Sequence, residues 1–413
     1  MIRALLALAT AGAAAAAIPT HGWDTALESQ FIDFGYSCRA PENCVGITPF
    51  TQARAEALVS KYAIVSLEKC TGARDTEEAI WASARLLKSL KPTLKVFFYL
   101  ATDLGGLSCY SAYHFYMNQT AWHLRNDAGQ VVNISAGSDI PLLDYTVAEA
   151  RDWWASLPLN GTTQYADLID GVLADGSGSP CPLPGISAAR CLALAAGKAA
   201  MVAQLQATLT AANGGVVLQN LITLYGNEPN DGLDWLQYSN GVMGEHFAVF
   251  EDVLPSGRLN ATRVAEFLAD IGTAAAAGKL VVMGTWPGLC TTPFAADGYP
   301  SWPGGTQPNT TLGWQAALLD KHAFALAGFL TVAEANVFQQ YEGWYENHQG
   351  AVPCPEDPSS CASPPNWYPD LSKPLGAPLG PAVRAGNTFT RHFQHATSYL
   401  DLDQPEASGV TFF

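Results

Sequence analysis

The chain has 413 residues, 48% of them hydrophobic, which is ample for a large core, and a formal charge of −16 that is spread without any run of like charges. That balance argues against nucleic acid and anionic membranes as partners. Charged residues make up only 14% while Trp and Tyr number 11 and 15, a composition suited to neutral polyhydroxylated ligands, which stack on aromatic faces and donate hydroxyl hydrogen bonds to carboxylates.

Residues 1–17 read as a secretory signal peptide. Met1, Ile2 and Arg3 lead into an unbroken small and apolar run that closes at Ala17, shorter than the roughly 20 residues a membrane-spanning helix needs. No later segment reaches eighteen consecutive apolar residues, so the expectation is a secreted chain with no membrane insertion. The nine cysteines lack the paired CxxC spacing of a zinc site and read instead as disulfides. Close pairs are Cys38 with Cys44, Cys181 with Cys191 and Cys354 with Cys361; Cys70 could join Cys109, which leaves Cys290 as the odd thiol. Five Asn-x-Ser/Thr sequons, at Asn118, Asn133, Asn160, Asn260 and Asn309, fit the same secretory route.

Short apolar runs alternate with amphipathic or Ala-rich stretches, the pattern of a parallel sheet with helical crossovers. The predicted strands are 31–36, 62–68, 95–101, 171–176, 215–221, 241–247, 280–286 and 329–334. The helices between them are expected at 48–60, 75–89, 147–156, 187–212, 231–237, 261–277 and 312–327. Eight matched units predict an α/β fold, a (β/α)8 TIM barrel over residues 18–349. A β-hairpin (129–134 with 141–144) is expected in the loop after strand three. Residues 350–381 are Pro-rich and should form a disulfide-pinned loop, and 382–413 a small β-element packed on the barrel, with strands at 388–393 and 397–402.

In such a barrel the site sits where the strands end. The polar strand ends are Asp33, Glu68, Asp103, Asp175, Glu245 and Glu334, with Tyr36, Tyr99, His246 and Trp286 beside them. The two-residue period of a strand puts Gly171, Leu173 and Asp175 on one face, and Gly241, Met243 and Glu245 on one face of another. Asp175 and Glu245 therefore converge on the barrel mouth. Two facing carboxyl groups are what glycosidic cleavage requires: one protonates the leaving oxygen, and the other attacks the anomeric carbon or activates water. No metal or cofactor is needed, and only His392 and His395 of the eight histidines approach ligand spacing. No GxSxG elbow, P-loop or dinucleotide fingerprint is present. Asp144, ahead of a helix, reads as a cap or as a residue lining the site.

The segments DGVLADG (170–176), GVMGEHF (241–247) and PLLDYTVAEARDWW (141–154) resemble the glycoside-hydrolase-like (β/α)8 families related to the endo-α-1,4-polygalactosaminidases and, more distantly, the α-galactosidase clan. The resemblance covers residues 25–345. It implies Asp175 as nucleophile, Glu245 as general acid/base and Asp144 near the cleft. The expectation is thus a secreted, monomeric glycoside hydrolase acting on a polysaccharide or oligosaccharide. Asp33, Tyr36, Glu68, Tyr99, Asp103, Asp144, His246, Trp286 and Glu334 would contact the sugar. The same residues also admit a non-catalytic carbohydrate-binding protein on this barrel, or a transglycosylase.

Overall fold

The computed structural model describes residues 17–34, 52–68, 76–135, 137–160, 165–222, 229–248, 254, 258–285, 311–341 and 368–413. Strands β1 (Phe31–Phe34), β2 (Ile64–Leu67), β3 (Lys95–Tyr99), β4 (Gly171–Ala174), β5 (Val216–Ile222), β6 (Gly241–Gly244), β7 (Leu280–Thr285) and β8 (Val337–Tyr341) pair in chain order as one parallel sheet. β1 also meets β8, through a parallel bridge from Gln30 to Gln339, so the sheet nearly closes into a barrel. Helices α1 (Gln52–Lys61), α2 (Thr76–Leu90), α3 (Ala112–Met117), α4 (Ala148–Ser156), α5 (Ala188–Asn213), α6 (Ala261–Ala276) and α7 (Thr311–Val332) are threaded between the strands. This is the predicted (β/α)8 class, with the expected 231–237 helix formed as a 3-10 run over Pro229–Tyr238.

Strands covered on both faces must be apolar on both, which is why they appear in the sequence as short continuous runs. The two-residue period then divides each strand. Phe31, Phe97, Leu173, Leu218, Met243 and Phe338 turn inward and fill the barrel. Ile32, Val96, Phe98, Val172 and Val217 turn outward onto Leu58, Ile80, Leu87 and Leu205 of the helices. Gly171 is dictated by this packing, because a Cβ there would lie 2.5 Å from the Val216 carbonyl oxygen and 2.7 Å from the Phe97 ring. The large ring occupies the space that a side chain on β4 would need.

Strand eight differs from the prediction. The run 329–334 is the end of α7 and its exit turn, and β8 follows at Val337–Tyr341. Phe329, Leu330 and Ala333 are all buried, so a fully covered helix end produced the same unbroken apolar signal as a strand. The sequence VFQQY of β8 carries no unbroken apolar signal, because two glutamines interrupt it.

After β3 the chain makes the expected β excursion, with bridges between Asn133 and Pro141, Arg125 and Val131, and His123 and Leu143. The C-terminal β-element is an antiparallel sheet in which β10 (Thr388–His392) and β11 (Ala396–Asp401) are flanked by β9 (Val383–Ala385) and β12 (Gly409–Phe412). The two flanking strands are short edges: β9 is exposed at every residue, and β12 turns Val410 and Phe412 toward the core with the exposed Thr411 between them. The sheet packs on α7. There the buried Arg391 donates hydrogen bonds to the carbonyl oxygens of Leu330 (3.2 Å) and Ala333 (2.6 Å), satisfying acceptors that the end of a helix leaves open. Residues 1–16, the Tyr36 strand end, Cys38, Cys44, Cys70, Trp286, Cys290, Asn309, and Cys354 with Cys361 lie outside the described residues.

Candidate active site

Asp175 follows β4 directly, and Glu245 follows β6. Between them runs β5, where the pairing with β6 shifts after Asn220. Such an irregularity re-aims the side chain beside it. Asn220 lies on the inward face with Val216 and Leu218, and its single amide nitrogen donates to both acids: 2.9 Å to Asp175 Oδ1 and 2.5 Å to Glu245 Oε2. Because one atom reaches both oxygens, 2.9 plus 2.5 limits their separation to 5.4 Å. The two carboxylates that strand parity pointed to the mouth are therefore neighbours there.

Asp175 is held from three directions. Its Oδ1 also accepts from the Gly176 backbone N–H at 2.7 Å, and its Oδ2 accepts from the Tyr99 hydroxyl. The backbone is fixed too: Thr102 donates its N–H (2.8 Å) and its hydroxyl (2.9 Å) to the Asp175 carbonyl. One residue on, the Gly176 carbonyl accepts from Thr102 Oγ1 and from Lys198 Nζ of α5, each at 2.6 Å. Gly176 has a φ of +61°, a conformation costly for other residues. A Cβ there would also lie 3.3 Å from the Asp103 carboxyl group, so Asp103 belongs to the same corner of the mouth. The loop continues to the Cys181–Cys191 disulfide, which ties it to the first turn of α5. Cys109 is disulfide-bonded as well, to a partner outside the described residues.

Glu245 is 9% exposed, and the buried His246 ring approaches it, with Nε2 3.5 Å from Glu245 Oε2. Burial pushes the His246 pKa down to about 4, against an opposing pull from the negative charge of Asp175. The ring is thus neutral near pH 7, and the contact with Glu245 is not an ion pair there.

The remaining predicted residues fall into four groups. Tyr99, Asp33 and Glu68 gather on the β1–β3 side. Asp33 and Glu68 are both buried, and their charges add to burial in pushing the Tyr110 hydroxyl well above its usual range, together with Glu77. Tyr110 in turn donates to the Tyr99 carbonyl at 2.7 Å. Asp144 is engaged in the turn before α4, where its Oδ1 accepts from the Thr146 N–H (3.0 Å) and hydroxyl (2.5 Å) and its Oδ2 lies 3.7 Å from Arg190. That is the local turn-forming role of an aspartate. Glu334 lies at the opposite end of the barrel. It precedes β8 instead of ending a strand, is half exposed, and pairs with Arg391 at 2.9 Å. Tyr36 and Trp286 are outside the described residues. Among the described residues, no three His, Cys, Asp or Glu side chains gather as a metal site. Asn220 is the site residue that sequence reasoning missed; its one signal was its place on the inward face of a strand between the two carboxylate strands.

No family model matches the sequence, and no curated protein matches it. Among solved structures, the fold is similar to the β-galactosidase of the psychrophilic Marinomonas ef1, with a TM-score of 0.49 and 11% identity over 78% of this chain and 54% of that one. The chain thus spans about half the length of that enzyme. It is similar to an α-amylase of Anoxybacillus at a TM-score of 0.43 and 10% identity, covering 91% and 86% of the two chains. An α-amylase of Geobacillus thermoleovorans, solved with acarbose, aligns at 0.46 and 12%, covering 92% and 86%.

Proposed function

We propose that the protein is a secreted glycoside hydrolase that cleaves an extracellular or cell-wall polysaccharide with retention of anomeric configuration. The observation that carries this reading is the upper limit of 5.4 Å between Asp175 Oδ1 and Glu245 Oε2. Retaining enzymes place their two carboxyl groups about 5–5.5 Å apart, whereas inverting enzymes need roughly 6.5–9.5 Å to admit a water between acid and sugar.

The roles follow from the surroundings. Asp175 accepts from three donors, so it is presented as an anion and acts as the nucleophile. Its carboxylate oxygen bonds to the anomeric carbon as the glycosidic C–O bond breaks. Glu245, more deeply buried beside a neutral imidazole, gives its proton to the departing oxygen. Water then attacks the anomeric carbon of the glycosyl ester, Glu245 takes one of its protons, and the Asp175–sugar bond breaks to restore both groups. Asp103, Asp33 and Glu68 supply acceptors around the sugar, the Tyr99 hydroxyl holds Asp175, and no metal or cofactor is required. Secretion is read from residues 1–17, from the sequons (Asn118, Asn133 and Asn160 are all exposed), and from the disulfides. The enzyme is read as a monomer whose relatives are the polygalactosaminidase-related barrels.

Proton NMR of the first product released tests the stereochemistry. The anomer formed before mutarotation should match that of the substrate linkage. An inverted first product would reject the double-displacement reading.

A further inference from the structure

Asn220 is 8% exposed, and its carbonyl oxygen is buried with no hydrogen-bond partner among the described residues. Leaving a buried amide carbonyl unpaired costs stability. A residue selected for packing at this point would be apolar, as Val216 and Leu218 are on the same face of the same strand. The uncompensated carbonyl makes sense only through the other end of the amide, whose nitrogen spans Asp175 and Glu245. Without it, the two acids would lose the one donor they share, and their mutual repulsion would be offset less.

We propose that Asn220 is a positioning residue: its amide clamps Asp175 and Glu245 at a fixed separation and keeps both available as charged acceptors until one takes a proton. This rests on the retaining reading above. Its effect is electrostatic as well as geometric, since a donor to a carboxylate favours the charged form while a neighbouring negative charge disfavours it. The titratable groups facing the pair among the described residues are Tyr99 from β3, Asp103 from the loop after it, Lys198 from α5 and His246 after β6. Asn220 is the residue whose one side-chain nitrogen donates to both acids.

The test needs no substrate. Isotope-edited infrared titration of the full chain follows the carboxyl bands of 13C-labelled Asp and Glu, with Asp175→Asn and Glu245→Gln backgrounds identifying the signals of the pair. In Asn220→Ala, protonation of the pair should begin about one pH unit higher than in the wild type. In the near-isosteric Asn220→Asp, which exchanges the donor for a third acid, the shift should be larger. Asn220→Leu, which keeps the volume, serves in place of the alanine variant if that one fails to fold. Titration curves that superimpose on the wild type in folded variants would overturn the proposal. Hydrolysis assays are independent of this readout: a wild-type infrared curve in Asn220→Ala defeats the clamp alone, while an inverted first product from the wild type defeats the retaining reading alone.

Discussion

The Tyr99 hydroxyl donates a hydrogen bond to Asp175 Oδ2, joining the end of β3 to the acid that follows β4. Tyr99 is buried at the top of the barrel's inward face, and its ring fills space there whether or not the hydroxyl is present. Tyr99→Phe should therefore keep the fold and lower kcat about tenfold, the effect of one lost hydrogen bond to a charged group. Steady-state kinetics beside a thermal melt measures this. An unchanged kcat would mean that the hydroxyl does not act on Asp175 during the reaction.

His322 provides a pH dependence of stability. It stacks on Tyr368 with ring centroids 4.0 Å apart and meets Tyr341 edge-on at 5.1 Å. Burial pushes its pKa down to about 4, with Asp370 opposing. The unfolded chain binds this proton near pH 6.5, before the folded one does. The stability it contributes is thus complete above pH 6.5 and is lost as the pH falls toward 4. His322→Phe, which keeps the aromatic packing, should lose less stability than the wild type between pH 7 and 4.5, by roughly 2–3 kcal/mol. Urea unfolding at the two pH values gives the difference; parallel losses would contradict it.

The barrel interior makes a separate prediction at Gly171. Adding the methyl group of Gly171→Ala forces it against the Val216 carbonyl and the Phe97 ring. An overpacked core of this kind costs about 1–3 kcal/mol. The urea midpoint should fall with an unchanged slope. A midpoint equal to the wild type would mean that both Phe97 and the β5 backbone at Val216 can shift to admit the methyl group.

Much of this arrangement was legible in the sequence, for reasons that particular residues make plain. Asp175 and Glu245 each end a short, buried, glycine-containing strand, so a two-residue period carries them to the inward face without knowledge of any contact. Asn220 was not legible, since an amide inside VVLQNLI has no acid–base signature, and its meaning comes from the neighbours that β4 and β6 bring to it. Glu334 was misplaced because Phe329, Leu330 and Val332 form an apolar run whose length cannot separate a strand from the last turn of a buried helix. Its partner Arg391 is 57 residues away. Asp144 was the case of two readings, and its bonds to Thr146 show the turn-forming one.

The most direct measurement compares sugar release from a panel of extracellular and cell-wall polysaccharides by the wild type, Asp175→Asn and Glu245→Gln, with the fold of each checked by circular dichroism. The account predicts release by the wild type and a loss of at least about 10³-fold in both variants. On an aryl glycoside whose leaving group needs no proton, Glu245→Gln should regain its first step while Asp175→Asn should not. Undiminished release by folded Asp175→Asn would contradict the account at its centre.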